Sequence, residues 1–196
     1  MELLNVKSVD KSYGGVVANH NVSLTVPKGK IVGIIGPNGS GKTTLFNSIV
    51  GHHPIDSGEI HFNGKEISSL TIPKIARLGM LRTFQQTHIY DKMTCVQNMQ
   101  ISSNIDANWK KVFNPFSKEV NEMVDELLAF VGLFKKRFLL AGDLSFGQQK
   151  LLEFAMALMK KPTILLLDEP TAGVNPTLIN GLIDRLRQVN EEKGIT

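Results

Sequence analysis

The fold of this chain is indicated most clearly by nine consecutive residues, Gly36-Pro37-Asn38-Gly39-Ser40-Gly41-Lys42-Thr43-Thr44. They match the pattern G-x-x-x-x-G-K-[ST], in which the backbone N–H groups of a glycine-rich loop surround phosphate groups. Lys42 would supply a positive charge to the β- and γ-phosphates, and Thr43 a hydroxyl for magnesium. The pattern therefore predicts a nucleoside triphosphate site, provided that a strand precedes the loop and a helix follows it.

The flanking segments have the required character. Ile31-Val32-Gly33-Ile34-Ile35 is a short apolar run that predicts a strand buried on both faces. Residues 42–50 predict a helix that Gly51 ends, and its N-terminus would add partial positive charge beside a polyphosphate. A glycine-rich turn that binds nothing is the alternative, but the whole pattern arises by chance in only about one such chain in a hundred.

Composition and charge limit the class of protein. The chain has 196 residues, which predicts one domain or a closely joined pair. Its 22 basic and 18 acidic residues give a net charge of +4, but the basic residues are scattered, so we do not expect a nucleic-acid partner. The single Cys95 predicts a buried thiol in a reducing compartment. No segment approaches the roughly 18 apolar residues of a transmembrane helix, so membrane association is expected through a partner.

The N-terminal third predicts antiparallel strands. Residues 4–9 and 21–26 alternate apolar and polar side chains, as half-buried strands do. Residues 59–62 predict a further short strand, and Asn63-Gly64 a hairpin turn. Tyr13, beside Gly14-Gly15, could stack on a purine base or simply pack at a strand end, and its spacing leaves both interpretations open.

The middle of the chain changes to helical spacing. Residues 73–78 predict a short helix and residues 80–85 a strand, and from residue 87 to about 160 we expect a helical insertion. One apolar face there comprises Val120, Val124, Leu127, Leu128 and Val131 and ends at Gly132. Leu144-Ser145-Phe146-Gly147-Gln148 opens the next helix. Ser145 and Gln148 have capping-box spacing, and the same helix start is a possible anion site; both interpretations stay open.

Two adjacent carboxylates follow a second buried strand. Residues 164–167 are aliphatic and lead directly into Asp168-Glu169-Pro170. Because side chains alternate along a strand, Asp168 and Glu169 should point differently. Asp168 suits magnesium held largely through water, and Glu169 suits polarising an attacking water. Asn175 and Pro176 then predict the start of a last helix, and residues 194–196 the entrance to one more strand.

The order GPNGSGKTT, LSFGQ and ILLLDEP closely resembles the nucleotide-binding subunit of an ABC transporter. The runs Arg82-Thr83-Phe84-Gln85 and Ala172-Gly173-Val174-Asn175-Pro176 look most like the subfamily that serves branched-chain amino acid importers. The resemblance implies an α/β fold: a P-loop NTPase core with an N-terminal antiparallel β portion and an inserted helical subdomain. The core would comprise residues 1–86 and 161–196, and the helical subdomain residues 87–160.

The resemblance also implies roles for individual residues, with ATP and Mg²⁺ as the bound groups. Catalysis would depend on Glu169 as base, with Lys42 and Gln85. Nucleotide would be bound by Tyr13 at the adenine, by Gly36, Pro37, Asn38, Gly39, Ser40, Gly41, Lys42, Thr43 and Thr44 at the phosphates, and by Ser145, Gly147 and Gln148 of a second subunit. Thr43, Gln85 and Asp168 would serve the metal, and Asn175 would stand in a loop that crosses the dimer interface.

The implied partners are a second ATP-binding subunit, identical or not, and membrane permease subunits docked on part of residues 87–115. The protein would then be an ATP hydrolase at the cytoplasmic face of the inner or plasma membrane, peripheral through the permease, that drives import of branched-chain or related amino acids. One alternative is a nucleotide-binding fragment with little turnover. Another is a soluble ABC ATPase outside transport, although those usually carry two such cassettes.

The sequence departs from the family at its C-terminal end. Family members have one further strand, which ends in a histidine that contacts the γ-phosphate. Here His20, His52, His53, His61 and His88 all precede Asp168, so none can take that role. We therefore expect a C-terminally truncated cassette with an exposed sheet edge beside the missing strand.

Overall fold

A computed structural model describes residues 1–83, 89–103, 116–173 and 175–196. Its strands are β1 (Glu2–Tyr13), β2 (Val16–Pro27), β3 (Ser57–Phe62), β4 (Lys65–Glu66), β5 (Met80–Thr83) and β6 (Ile164–Leu167). Its helices are α1 (Lys42–Ile49), α2 (Ile72–Arg77), α3 (Cys95–Ser103), α4 (Lys118–Phe130), α5 (Phe146–Leu158) and α6 (Pro176–Lys193). The chain divides into two compact units, one of residues 1–82, 163–168 and 187–196, the other of residues 83–162 and 169–186.

The first unit contains a four-stranded antiparallel sheet in the order β2-β1-β3-β4. Val6 of β1 lies opposite Leu24 of β2 and Ile60 of β3, so the predicted alternation sets the register. Asn63 and Gly64 both have positive φ, 51° and 77°, as the predicted tight turn between β3 and β4 requires. The predicted N-terminal antiparallel portion is therefore confirmed.

The core of this unit lies where α1 covers the sheet. Leu45 and Ile49 of α1 belong to the same buried cluster as Ile60 and Phe62 of β3. The helix ends as predicted at Gly51, whose φ is +72°. A Cβ at Gly51 would lie 2.5 Å from the carbonyl oxygen of Leu70, so only glycine fits this turn.

A second, two-stranded sheet is formed by β5 and β6. The Thr163 N–H donates to the Gly79 carbonyl at 2.8 Å, where both strands begin, so the strands run in the same direction. Thr196 pairs with the other side of β6, because its N–H donates to Thr163 and its carbonyl accepts from Leu165. The backbone of Thr196 therefore pairs with β6 as a neighbouring strand would, in agreement with the strand entrance predicted at residues 194–196.

The strand predicted at residues 31–35 is wrong. Ile31 is 61% exposed and Ile35 98% exposed, and no strand in the described ranges pairs with this segment. A strand buried on both faces needs a neighbour that offers backbone partners, and an apolar run cannot specify that neighbour. On the chain just before it, the Gly29 N–H donates to the Thr196 hydroxyl at 2.8 Å.

The second unit is helical. Ser117 caps α4 by accepting from the Val120 N–H, and the predicted apolar face is buried through Val124, Leu127, Leu128 and Val131. Gly132 follows with φ +79°, the predicted end of this helix. Leu151, Leu152, Ala155 and Leu158 are buried along α5. Cys95, in α3, is fully buried, and burial raises the pKa of its thiol.

Candidate nucleotide-binding site

Residues 36–41 form a glycine-rich loop that leads into α1, exposed at residues 36–40 and half-buried at Gly41. Gly39 and Gly41 have φ of +81° and +85°, the left-handed conformation that glycine adopts without strain. A Cβ at Gly41 would lie 2.2 Å from the Ala18 carbonyl oxygen of β2, whereas a Cβ at Gly39 would meet no atom within 4 Å. Gly41 is therefore required both by its conformation and by the closeness of β2.

The side chain of Asn19 in β2 binds the loop at Gly41. Its side chain is buried, and its Nδ2 donates to the Gly41 carbonyl at 3.2 Å. This contact joins the N-terminal sheet to the start of α1. Asn19 is not among the predicted site residues, although a polar residue that is buried within a strand requires a hydrogen-bond partner.

Lys42 is the first residue of α1 and bends back over the loop. Its Nζ donates to the carbonyl oxygens of Gly36 at 2.8 Å and Pro37 at 2.7 Å. The ammonium group thus lies across the loop, near the backbone that the pattern assigns to phosphate. Thr43 and Thr44 follow in the first turn of α1, and no acidic residue lies in that turn to oppose an anion.

The two adjacent carboxylates lie in different surroundings. Asp168 is buried and its Oδ2 accepts from Nη2 of Arg82 at 2.8 Å. Glu169 is exposed, and its φ of 46° is left-handed, a conformation that costs a non-glycine residue about 1–3 kcal/mol. The chain turns sharply there, since the Ala172 N–H donates to the Glu169 carbonyl at 3.0 Å. The predicted difference between the two side chains is thus present.

The side-chain oxygens of Asp168 and Thr43 suit magnesium in kind. Besides the oxygen bound to Arg82, Asp168 has a second oxygen, Oδ1, that accepts no hydrogen bond from the residues the structure describes. Thr43 offers a hydroxyl, and magnesium prefers such oxygen ligands with several retained waters. Gln85, the third residue predicted for the metal, lies outside the described residues. Asp168 and Thr43 therefore remain predicted ligands.

Tyr13 ends β1 and is 44% exposed. The His53 ring meets it edge-on, with 5.7 Å between centroids, and the Nζ of Lys11 lies 5.3 Å from the centroid of Tyr13. Lys11 is itself fixed by an ion pair with Asp56 at 2.9 Å. An exposed aromatic ring with fixed neighbours suits stacking, but the packing interpretation of Tyr13 also stands.

In the second unit, Ser145 begins α5 with the predicted capping box. The Ser145 side chain accepts from the backbone N–H of Gln148, and the Gln148 Oε1 accepts from the Ser145 N–H at 3.2 Å. The Gln148 Oε1 also accepts from Nζ of Lys136 at 3.1 Å. Gly147 is buried in the first turn. The capping interpretation is confirmed, and nucleotide contacts by Ser145, Gly147 and Gln148 remain predictions.

Arg82 of β5, a residue for which the sequence predicts no site role, binds Asp168 and also Asn47 of α1. A signal was available, because an arginine in a short strand of a buried sheet requires charged or polar partners. Its partners could not be named, since Asp168 is 86 residues away along the chain.

None of the helices in the described ranges combines the length and apolar character that a membrane crossing requires. No group of three or more His, Cys, Asp or Glu side chains in the described part of the chain is arranged to hold a metal ion. The site consists instead of backbone, hydroxyl, ammonium and single carboxylate groups.

Residues 19–172 match the family model for the ABC transporter. The probable branched-chain amino acid transport ATP-binding protein LivG of Archaeoglobus fulgidus is 37% identical over 198 residues, which cover 97% of this chain and 76% of that protein. An ATP-binding cassette of an ABC transporter, solved in its ADP conformation, is 35% identical with a TM-score of 0.88 and covers 100% of this chain and 79% of that one.

A dimeric ATP-binding cassette in a post-hydrolysis state, bound to ADP and phosphate, is 28% identical with a TM-score of 0.83. The match covers 99% of this chain and 85% of that cassette. Since the family model spans most of the chain and includes the glycine-rich loop and Asp168, this protein belongs to the ATP-binding cassettes of ABC transporters.

Proposed function

We propose that this chain is the ATP-hydrolysing subunit of an importer for branched-chain or related amino acids. The observation that carries the proposal is the loop of residues 36–41, whose left-handed Gly39 and Gly41 lead directly into Lys42 and α1. The cargo is proposed because the similar Archaeoglobus protein is a probable branched-chain amino acid transport ATP-binding protein. The nucleotide-binding core would comprise residues 1–86 and 161–196, and the helical subdomain residues 87–160.

Binding would begin at Lys42. Its ammonium group would leave the carbonyl oxygens of Gly36 and Pro37 and bind phosphate oxygens of ATP, while the backbone N–H groups of the loop surround the phosphates. Tyr13 would stack on the adenine. Thr43 and Asp168, with Gln85, would hold Mg²⁺, which neutralises charge on the phosphates when bound.

Glu169 would act as the general base. Its carboxylate would accept a proton from water as the water oxygen bonds to the γ-phosphorus, and the bond from that phosphorus to the β–γ bridging oxygen breaks, leaving ADP and phosphate. A general base of this kind needs access to water, and Glu169 is exposed. Its left-handed backbone separates it from the buried Asp168 and supports distinct roles for the two carboxylates.

The site would be completed by a second ATP-binding subunit. Ser145 and Gly147 lie at the start of α5, where the helix N-terminus favours an anion, and we propose that they cover the γ-phosphate held by the partner subunit. The existence of a similar dimeric cassette supports this arrangement. Asn175 would lie at that interface. Permease subunits would dock on part of residues 87–115 and hold the protein at the cytoplasmic face of the membrane.

Turnover and binding measured on one purified chain test the proposal. Glu169→Gln should bind labelled ATP as the wild type does but release phosphate about 10² to 10⁴ times more slowly, because only the base is lost. Glu191→Gln is the matched control, since it changes an exposed glutamate of α6. Unchanged phosphate release by Glu169→Gln would remove Glu169 from the mechanism.

One observation favours a second candidate function, a module that binds ATP with little turnover. The segment before the loop, residues 31–35, is exposed and pairs with no strand among the described residues. A loop whose preceding segment is loosely held would still bind phosphates but would position them less exactly for attack. Tight ATP binding by the wild type without phosphate release would favour this alternative.

A further inference from the structure

We propose that Arg82 is a positioning residue, which fixes Asp168 relative to α1 and thereby sets the affinity of the site for a divalent cation. The proposal rests on the proposed function, in which Asp168 serves the metal. It adds a residue that touches neither nucleotide nor metal directly. Its basis is a buried network that joins β5, α1 and the end of β6 within the first unit.

The ion pair between Arg82 and Asp168 is almost completely buried. Each side chain is 5% exposed, and Nη2 of Arg82 lies 2.8 Å from Oδ2 of Asp168. Buried charges are tolerated only when they are paired and hydrogen-bonded, so each side chain constrains the other. Asp168 follows the last residue of β6, so this contact fixes the carboxylate at the end of that strand.

The other end of the Arg82 guanidinium reaches α1. Nη1 of Arg82 donates to Oδ1 of Asn47, and the guanidinium carbon lies 5.7 Å from the centroid of the Phe46 ring. Asn47 is four residues after Thr43, about one helical turn, so the two lie on the same side of α1. Arg82 thus connects Asp168 with the helix that carries Lys42 and Thr43.

The planar fork of arginine is essential to this connection. Two nitrogens of one guanidinium bind two acceptors on different elements at a fixed separation, which a lysine ammonium cannot reproduce. The contact occupies Oδ2 of Asp168 and leaves Oδ1 without a hydrogen bond from the described residues. Oδ1 is therefore the oxygen that can face a hydrated cation.

Charge and geometry make opposite predictions at this position. As a positive charge beside Asp168, Arg82 by itself would weaken cation binding, so removing it should strengthen binding. As a positioning residue it should strengthen cation binding, because loss of the partner that orients a metal ligand typically lowers metal affinity by about 10–100-fold. The sign of the change therefore distinguishes the two roles.

The test uses the full chain with Mn²⁺ as the probe and saturating ADP, so that no turnover occurs. Free Mn²⁺ is measured by electron paramagnetic resonance for the wild type, Arg82→Lys, Arg82→Gln and Asn47→Ala. We expect Mn²⁺ affinity to fall by about tenfold or more in both Arg82 variants and by a smaller factor in Asn47→Ala. Metal-free ADP affinity should stay within about twofold in all of them, since Arg82 and Asn47 touch no nucleotide in this proposal.

Arg77→Lys is the matched control, since Arg77 is an exposed arginine at the end of α2. Asn47→Ala keeps the buried ion pair and so keeps the test decisive if the Arg82 variants do not fold. Wild-type Mn²⁺ affinity in Asn47→Ala and Arg82→Lys, or tighter binding in Arg82→Gln, would overturn the positioning role. Failure of the wild type to bind ADP would instead contradict the proposed function.

Discussion

Replacing Gly41 by alanine tests how the loop is built. The structure offers a matched control in Gly39→Ala, because the two glycines have nearly the same φ, +85° and +81°. The left-handed strain is therefore common to both changes, about 1–2 kcal/mol for a residue with a Cβ. At Gly41 the added Cβ would also lie 2.2 Å from the Ala18 carbonyl oxygen and 2.6 Å from Nδ2 of Asn19.

Gly41→Ala should consequently lower the melting temperature more than Gly39→Ala does. For a chain of this length, 1 kcal/mol lowers the melting temperature by about 2–4 °C, so Gly39→Ala should lower it by about 2–8 °C. Gly41→Ala should lower it by about a further 2–12 °C, because a clash with backbone, like overpacking in a core, adds about 1–3 kcal/mol. It should also weaken ATP binding more than Gly39→Ala does, since the start of α1 must move away from β2.

Thermal unfolding followed by circular dichroism, together with titration of a fluorescent ATP analogue, measures both effects. Gly64→Ala, in the turn between β3 and β4, controls for left-handed strain outside the loop, because an added Cβ there would meet no atom within 4 Å. Equal melting temperatures and equal ATP affinities for Gly39→Ala and Gly41→Ala would refute the claim that β2 holds the loop through Gly41.

Asp10, Cys95 and Asn98 lie in surroundings with measurable consequences. Hydrogen bonds from Ser57, Asn21 and His20 lower the pKa of Asp10 from 3.8 to about 2. The stabilisation that they provide is therefore present above about pH 4 and is lost as the pH falls through about 2. Asp10→Asn should flatten the acid unfolding curve between these pH values, and an unchanged curve would contradict the assignment. Burial raises the pKa of the Cys95 thiol, so a thiol reagent should react with Cys95 only at the rate of unfolding. Immediate labelling of the native protein would contradict this prediction, because it would show that the thiol is accessible. Asn98 is fully buried, and its Nδ2 donates to the carbonyl oxygens of Tyr90, Met93 and Thr94. Asn98→Ala should therefore lower the free energy of unfolding in urea by at least about 1–3 kcal/mol. Asn121→Ala on the surface should lower it by about 0.5 kcal/mol or less.

Local features of this fold could be predicted because neighbouring residues determine them. Asn63-Gly64 specifies a turn with two positive φ values, and Gly132 ends α4 where the apolar face stops. Ser145 and Gln148 cap α5 through atoms only three residues apart. In each case the stabilising contact lies within one turn, so the local sequence is sufficient to predict it.

Non-local contacts could not be predicted. Residues 31–35 have the composition of a buried strand, but whether they pair depends on which segment lies beside them, and no strand among the described residues pairs with them. Likewise the pattern requires glycine at position 41 for its conformation, whereas the closeness of Ala18 and Asn19 depends on how β2 packs. The pair of Arg82 and Asp168 depends on the adjacency of β5 and β6.

In the proposed site, ATP is anchored by Lys42 at the start of α1. Equilibrium binding of labelled ATP to the wild type, Lys42→Ala and Lys118→Ala tests it most directly, because Lys118 is an exposed lysine in the first turn of another helix. We predict wild-type affinity for Lys118→Ala and a loss of at least about 1.5–3 kcal/mol for Lys42→Ala, which is more than tenfold in affinity. Equal affinity of Lys42→Ala and the wild type would contradict the account.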